Sequence, residues 1–230
     1  EIYTLSLHDA LPISETIELF RPYVEEGCEI VCFSISNSMS TSGNVMRLAA
    51  GELEAENRIT VIDSANLSTG IGLLVIEAAI MAKNGHSASE IASVMETLKP
   101  NVRASFVVDT LTYLYRGGRC NAVAAMAGGV LKLHPKIVVE NGAMDATKKY
   151  RGKINSVIMS YVKDMETDLK AARPDRVFIT HSGCDAATVE SVRSYLESLG
   201  VFHEILETRA GGVVSSHCGP GTLGVLFIAK

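Results

Sequence analysis

Four short segments of this chain gather side chains that could hold an anion or move a proton. Near the C-terminus, Ser215-Ser216-His217-Cys218-Gly219-Pro220-Gly221-Thr222 crowds a histidine and hydroxyls into glycine-rich backbone, and the apolar run 223–228 follows. An imidazole changes charge near neutral pH and can donate or accept a hydrogen bond. Glycines let a ligand approach the main chain, and Pro220 stiffens one step of the turn. The pattern reads either as a polar site at the edge of a sheet or as a tight strand-to-strand turn in which His217 is incidental.

The second segment, Ser34 to Asn44, clusters hydroxyls between an apolar strand and a helix. In a parallel sheet such a loop lies at the carboxyl edge of the strands, where the N–H groups of a helix start can receive a carboxylate or phosphate. A helix N-cap with solvent-facing serines explains the same residues without a ligand. The third segment, Asp109 to Arg119, sets Arg116 and Arg119 on either side of Gly117-Gly118 after a short helix that Gly117 can close. The arginines can lean on that helix's last carbonyls, or pair with an acid such as Asp109 or a charged ligand. The fourth, Thr180-His181-Ser182-Gly183, again puts polar residues at a strand end, with His181 reading as a structural hydrogen-bonder. No Walker lysine loop and no Gly-x-Ser-x-Gly elbow occurs, so a separate nucleotide site or a serine hydrolase has no motif support.

Composition narrows the setting. At 230 residues the chain is long enough for one large domain or two small ones. A net charge of -5 without a basic run excludes nonspecific nucleic-acid binding, which needs lysines and arginines to neutralise phosphates. The five cysteines, Cys28, Cys32, Cys120, Cys184 and Cys218, are spread without zinc spacing. They read as reduced thiols of a cytoplasmic protein with no metal and no cofactor. Apolar stretches are broken by charges such as Glu77 before they reach membrane-spanning length, and no signal peptide is evident.

Positioning elements follow from periodicity. The spacing predicts helices over 15–26, 45–54, 67–84, 88–98, 110–115, 121–131, 154–169 and 186–199. Strands are expected over 28–36, 58–63, 106–108, 135–140, 145–150, 176–180 and 202–207, with the last apolar run after the His217 segment. Asn141-Gly142 is a hairpin signal. The fold class is α/β with two domains: a parallel-sheet N-terminal domain over 15–103, incomplete, and a mixed-sheet C-terminal domain over 104–230, with the boundary near Pro100 to Ser105. Residues 1–14 resemble a translated sequencing-adaptor read and are expected to be a non-native leader.

Taken together, the segments SISNSMSTSGNVMRLAA, VIDSANLSTGIGLLVIEAA, FVVDTLTYLYRGGR, KIVVENG with KKYRGK, and SSHCGPGTLGVLFIAK resemble the DegV family of bacterial fatty-acid-binding proteins. The resemblance implies a long-chain fatty acid in an apolar tunnel, its carboxylate held near the domain junction. It also implies a separate ATP-binding kinase subunit that phosphorylates the carboxylate for phospholipid synthesis, so that this chain has no turnover of its own. By position, Ser40 matches the serine that binds the carboxylate and His217 the histidine of the same network. Arg116 and Arg119 match paired arginines that support the site or dock the kinase, and Thr41, Ser42, Gly219 and Gly221 complete the expected ligand-binding set. An apolar pocket with a few convergent donors suits an amphiphile, since each buried methylene contributes roughly 0.8 kcal/mol.

The likeness has two departures. The family usually reads Leu-Ser-Gly-Thr where this chain has Met39-Ser40-Thr41-Ser42, with Gly43 as the compensating glycine. By the resemblance, the family's opening strand, an Asp-Ser turn and a Thr-Ser-x-Pro segment should precede Glu15, so a truncated fragment is expected. An alternative follows from a distant likeness to dihydroxyacetone-kinase substrate domains: a small carbonyl compound held by His217 and phosphorylated by a partner. A hydrolase using Ser40 and His217 would further need an orienting acid such as Asp63 or Asp109.

Overall fold

The computed structural model describes residues 12–118 and 133–230. Arg119, Cys120 and the helix expected over 121–131 lie outside these residues. The chain begins with α1 (Ile13–Glu25), whose buried Thr16, Phe20 and Val24 recur at helical spacing. Two residues of α1, Ile13 and Ser14, come from the stretch expected to be a leader. Then follow β1 (Ile30–Ser34), α2 (Ser42–Glu52) and β2 (Ile59–Asp63). β1 and β2 pair in parallel from Ile30 opposite Ile59 to Ser34 opposite Asp63. Phe20 and Val24 pack on Ala49, Ala50 and Ala55, where small side chains let α1 approach.

α3 (Thr69–Lys83) and α4 (Ala88–Leu98) form the next layer. α4 starts at a reciprocal capping box: Ser87 accepts from the Glu90 N–H while Glu90 reaches back to the Ser87 N–H. α3 is apolar on nearly every side because it is covered twice. Its Leu73, Leu74 and Ala78 share one core with Ile62 of β2, Met95 of α4, and Ala104, Phe106 and Leu226 of the larger sheet.

That sheet has six strands: β3 (Val102–Val107), β4 (Leu133–Glu140), β5 (Ala143–Arg151), β6 (Ala172–Ser182), β7 (Glu204–Arg209) and β8 (Thr222–Ala229). Their order is β5-β4-β3-β8-β6-β7, antiparallel throughout except for the parallel pair β6 and β7. Central β8 is buried from Thr222 to Ile228, which is why its sequence is a continuous apolar run rather than an alternating one. The opposite face carries α6 (Ile154–Asp164), α7 (Glu166–Lys170) and α8 (Ala186–Ser198), packed through Tyr161, Leu169, Val192 and Leu196. The layers thus run α1/α2, small sheet, α3/α4, six-stranded sheet, α6/α7/α8. The α/β class with a small parallel sheet and a larger mixed sheet holds.

Several boundaries differ from expectation. The helix expected over 154–169 breaks at Met165, which caps α6 and precedes α7. β6 begins at Ala172 rather than Arg176, with an irregularity between Ala172 and Val177 where Pro174 cannot donate to the ladder. Gly118, not Gly117, closes α5 (Thr112–Gly117), with φ of 66°. The largest correction concerns the C-terminal segment: residues read as a glycine-rich turn include a short helix, α9 (Gly212–Cys218). Its valines and hydroxyl residues are weak helix formers, so the packing of α9 against α5 decides its state.

Candidate functional site

The parallel pairing of β1 and β2 brings two loops to one sheet edge. The Ser64 N–H donates to the Ser34 carbonyl at 3.2 Å, and the Ser36 N–H to the Asn66 carbonyl at 2.9 Å. The first loop turns on Ser36, whose carbonyl accepts from the N–H groups of Met39 and Ser40 at 2.9 and 3.1 Å. Met39 is buried, which leaves Ser40 at the start of α2 with its hydroxyl 2.8 Å from that of Ser42. Thr41 precedes α2 without a side-chain cap bond. Gly43 sits close under its neighbours: a Cβ there would lie 2.7 Å from Asn37 Oδ1 and 2.9 Å from the Ser34 hydroxyl and would force them to shift. That Ser34 hydroxyl is buried without a hydrogen-bond partner among the described residues.

The second group lies where α5 meets α9. His217 rests on Gly117 and Tyr113 rests on Gly219, an exchange in which each segment supplies one side chain and one glycine. A Cβ at Gly219 would come 2.3 Å from the Tyr113 ring. The Gly219 carbonyl accepts from Ser182, and the Gly221 N–H donates to the Ser182 carbonyl at 2.9 Å. Arg116 is exposed beside Gly117. Asp63 accepts from the Ala65 N–H at 2.9 Å and from the Asn37 N–H at 3.3 Å, and Asp109 faces His134 at 3.4 Å. The spacing Gly219-x-Gly221-x-x-Gly224 matches a dinucleotide loop in letters only, because it leads from a helix into a strand rather than the reverse.

A narrow cleft lies between the start of α3, the six-stranded sheet and α9. Leu67 and Ser68 before α3, Ala104 and Phe106 of β3, Leu226 of β8, and Val214 and Cys218 of α9 line it. Thr180, His181, Ser182 and Thr222 also border it, yet their polar atoms are bonded to the protein. Thr180 shares its hydroxyl with Thr69 at 2.5 Å and Thr208 at 2.9 Å, Ser182 donates to the Gly219 carbonyl, and Thr222 donates to the Cys218 carbonyl at 2.9 Å. His181 Nδ1 accepts from the Cys184 N–H at 3.3 Å, which assigns its proton to Nε2, 3.4 Å from Glu207. The cleft therefore presents an apolar surface although its sequence is partly polar. Sequence reasoning missed this wall, because whether a hydroxyl turns inward depends on partners more than 100 residues away, such as Thr69.

Of the sequence-derived site residues, Ser40, Thr41 and Ser42 lie together at the start of α2. Arg116, His217, Gly219 and Gly221 lie together around α5 and α9, and Arg119 is outside the described residues. Among the described residues no group of three or more His, Cys, Asp or Glu could hold a metal ion, and no helix is long and apolar enough to cross a membrane.

A family model described as an uncharacterised protein of the DegV family matches residues 8–230. A DegV domain-containing protein of Clostridium perfringens is 32% identical over 216 residues, covering 92% of this chain and 74% of its own length. Among solved structures, a DegV family protein from Thermus thermophilus, described by its fatty-acid binding, superposes with a TM-score of 0.84 at 27% identity, covering 96% of this chain and 78% of its own. A stearic-acid-binding protein from Eubacterium ventriosum does so with a TM-score of 0.81 at 28% identity, covering 96% and 77%.

Proposed function

This chain belongs to the DegV family, and on that premise we propose that it binds a long-chain fatty acid and presents the carboxylate to a separate ATP-dependent kinase subunit. The observation that carries the reading is the cleft along which the Thr180, Ser182 and Thr222 hydroxyls and the His181 imidazole are bonded to the protein, leaving apolar surface for an alkyl chain. A three-carbon carbonyl compound would find few donors there, whereas each methylene of an acyl chain gains roughly 0.8 kcal/mol by leaving water. Two solved relatives described as fatty-acid-binding share the fold at more than 25% identity.

The carboxylate is assigned to the α2 start. Ser40 and Ser42 supply hydroxyls there, and the positive end of the helix dipole favours an anion. His217 of α9 and Arg116 of α5 are assigned as further donors to the carboxylate. In the kinase step one carboxylate oxygen attacks the γ-phosphorus of ATP, the bond to the β-phosphate bridging oxygen breaks, and ADP leaves with that electron pair. The residues of this chain orient the nucleophile and keep the tail out of water. The reading places the protein in the cytoplasm, beside the enzymes that would consume an acyl phosphate.

Native mass spectrometry of gently purified protein, followed by solvent extraction, tests the reading. A co-purifying long-chain fatty acid is expected. Failure to carry or to take up any fatty acid, together with uptake of dihydroxyacetone, would overturn it.

A further inference from the structure

The tip of the β4–β5 hairpin touches the loop that carries Ser40. Asn141 and Gly142 both have positive φ, 50° and 80°, the geometry of a two-residue hairpin turn that suits glycine at its second position. Turned this way, the Gly142 carbonyl accepts from two hydroxyls of the other sheet's loop, Ser36 at 2.7 Å and Ser38 at a shorter distance. The arrangement is internally consistent, because the Ser36 oxygen in turn accepts the Ser38 N–H at 3.3 Å. Ser36 and Gly142 are buried, so the bond between them is not exchanged freely for water. The Ser36 carbonyl is also the acceptor for the Ser40 N–H.

We propose that Ser36, Ser38 and the Gly142 carbonyl form a latch that positions the Ser40 hydroxyl for the ligand's carboxylate, coupling the small parallel sheet to the six-stranded sheet at the binding site. The latch rests on the fatty-acid reading above and deepens it. Ser36 and Ser38 are positioning residues: they act through the backbone of Ser40. The hairpin tip belongs to the sheet that also carries α5 and α9, so the latch fixes the distance between the two halves of the site. Without it, Ser40 keeps its place before α2 but loses its reference to His217.

The test compares oleic acid with oleyl alcohol, which has the same chain and no carboxylate. In the Ser36→Ala, Ser38→Ala double variant the Kd for the acid is expected to rise about tenfold, the size of one to two neutral hydrogen bonds, while that for the alcohol changes by less than about twofold. Ser38→Thr, which keeps the donor at an exposed position, is expected to behave as the unaltered protein. Equal weakening of both ligands in the folded double variant would overturn the latch. So would unchanged acid binding in the double variant. If the double variant fails to fold, the Ser38→Ala variant alone is compared with Ser38→Thr, and equal acid binding by the two overturns it. Binding of neither ligand by the unaltered protein would instead overturn the fatty-acid reading itself.

Discussion

The imidazole of His217 lies so close against Gly117 that a Cβ at residue 117 would come 2.1 Å from Nδ1. Gly117 is thus the seat of His217, and the helix containing it has a second role beyond carrying Arg116. Gly117→Ala is expected to push the imidazole aside and to weaken fatty-acid binding by about tenfold if His217 contributes one charge-assisted hydrogen bond. Titration with a fluorescent fatty acid checks this. Binding equal to that of the unaltered protein, with His217 seen displaced, would remove His217 from the site.

Tyr161 joins α6 to the centre of the large sheet. Its hydroxyl donates to the Ser105 carbonyl at 2.7 Å and accepts the Val225 N–H at 3.1 Å, inside the core. Tyr161→Phe leaves both backbone groups without this partner and is expected to cost about 1–3 kcal/mol, lowering Tm by several degrees. Thermal denaturation followed by circular dichroism measures it; an unchanged Tm would show that the strands re-pair without the hydroxyl.

Cysteine reactivity should follow burial. Burial pushes the Cys32 thiol up to about 12 and the Cys184 thiol up to about 11, whereas Cys28 is exposed. The thiolate is the reactive form, so at pH 8 iodoacetamide is expected to modify Cys28 well before Cys32 or Cys184. Peptide mapping after brief labelling decides the order, and early modification of Cys32 would mean that β1 opens in solution.

Acid should destabilise the contact between β5 and α6. A hydrogen bond from Lys148, together with one from the Tyr150 hydroxyl at 2.7 Å, holds the Asp164 carboxyl below its usual range. The folded pKa lies below the unfolded one, so this stabilisation is complete above the unfolded value, near about 4, and is lost as pH falls through the folded value. Urea midpoints of the Asp164→Asn variant are expected to change less between pH 6 and pH 3 (an interval chosen around the carboxylate range) than those of the unaltered protein. Parallel profiles would assign the acid sensitivity to other carboxylates.

Much of this architecture is legible in the residues. The capping box at Ser87, the Asn141-Gly142 turn and the unbroken apolar run of β8 each carry their signal locally, within a few positions. The two groups of the proposed site carry their signal in the same way, as hydroxyls before α2 and a histidine near Gly219. What was not legible depends on distant partners. α9 is a helix because α5 covers it, through Gly117 and Gly219, and the cleft is apolar because Thr180 turns its hydroxyl to Thr69. The Ser36 and Ser38 bonds to Gly142 span more than 100 positions and leave no periodic trace in the sequence.

The cleft itself makes the sharpest demand on the proposed function. Val214 of α9 and Ala104 of β3 both line it, one half-buried and one buried. Val214→Phe adds bulk at a position where α9 can shift slightly, whereas Ala104→Phe would press on the sheet and risk the fold. If the acyl chain occupies this space, Val214→Phe should exclude part of it, and each methylene displaced should cost roughly 0.8 kcal/mol, about a fourfold rise in Kd. Preference should then move toward shorter acids: stearic acid loses affinity, while an acid several methylenes shorter, whose tail ends before the new ring, binds as before. Competition between chain lengths in one vessel reads this directly, independent of protein stability. Equal weakening of all lengths would place the tail elsewhere and leave the cleft as packing space.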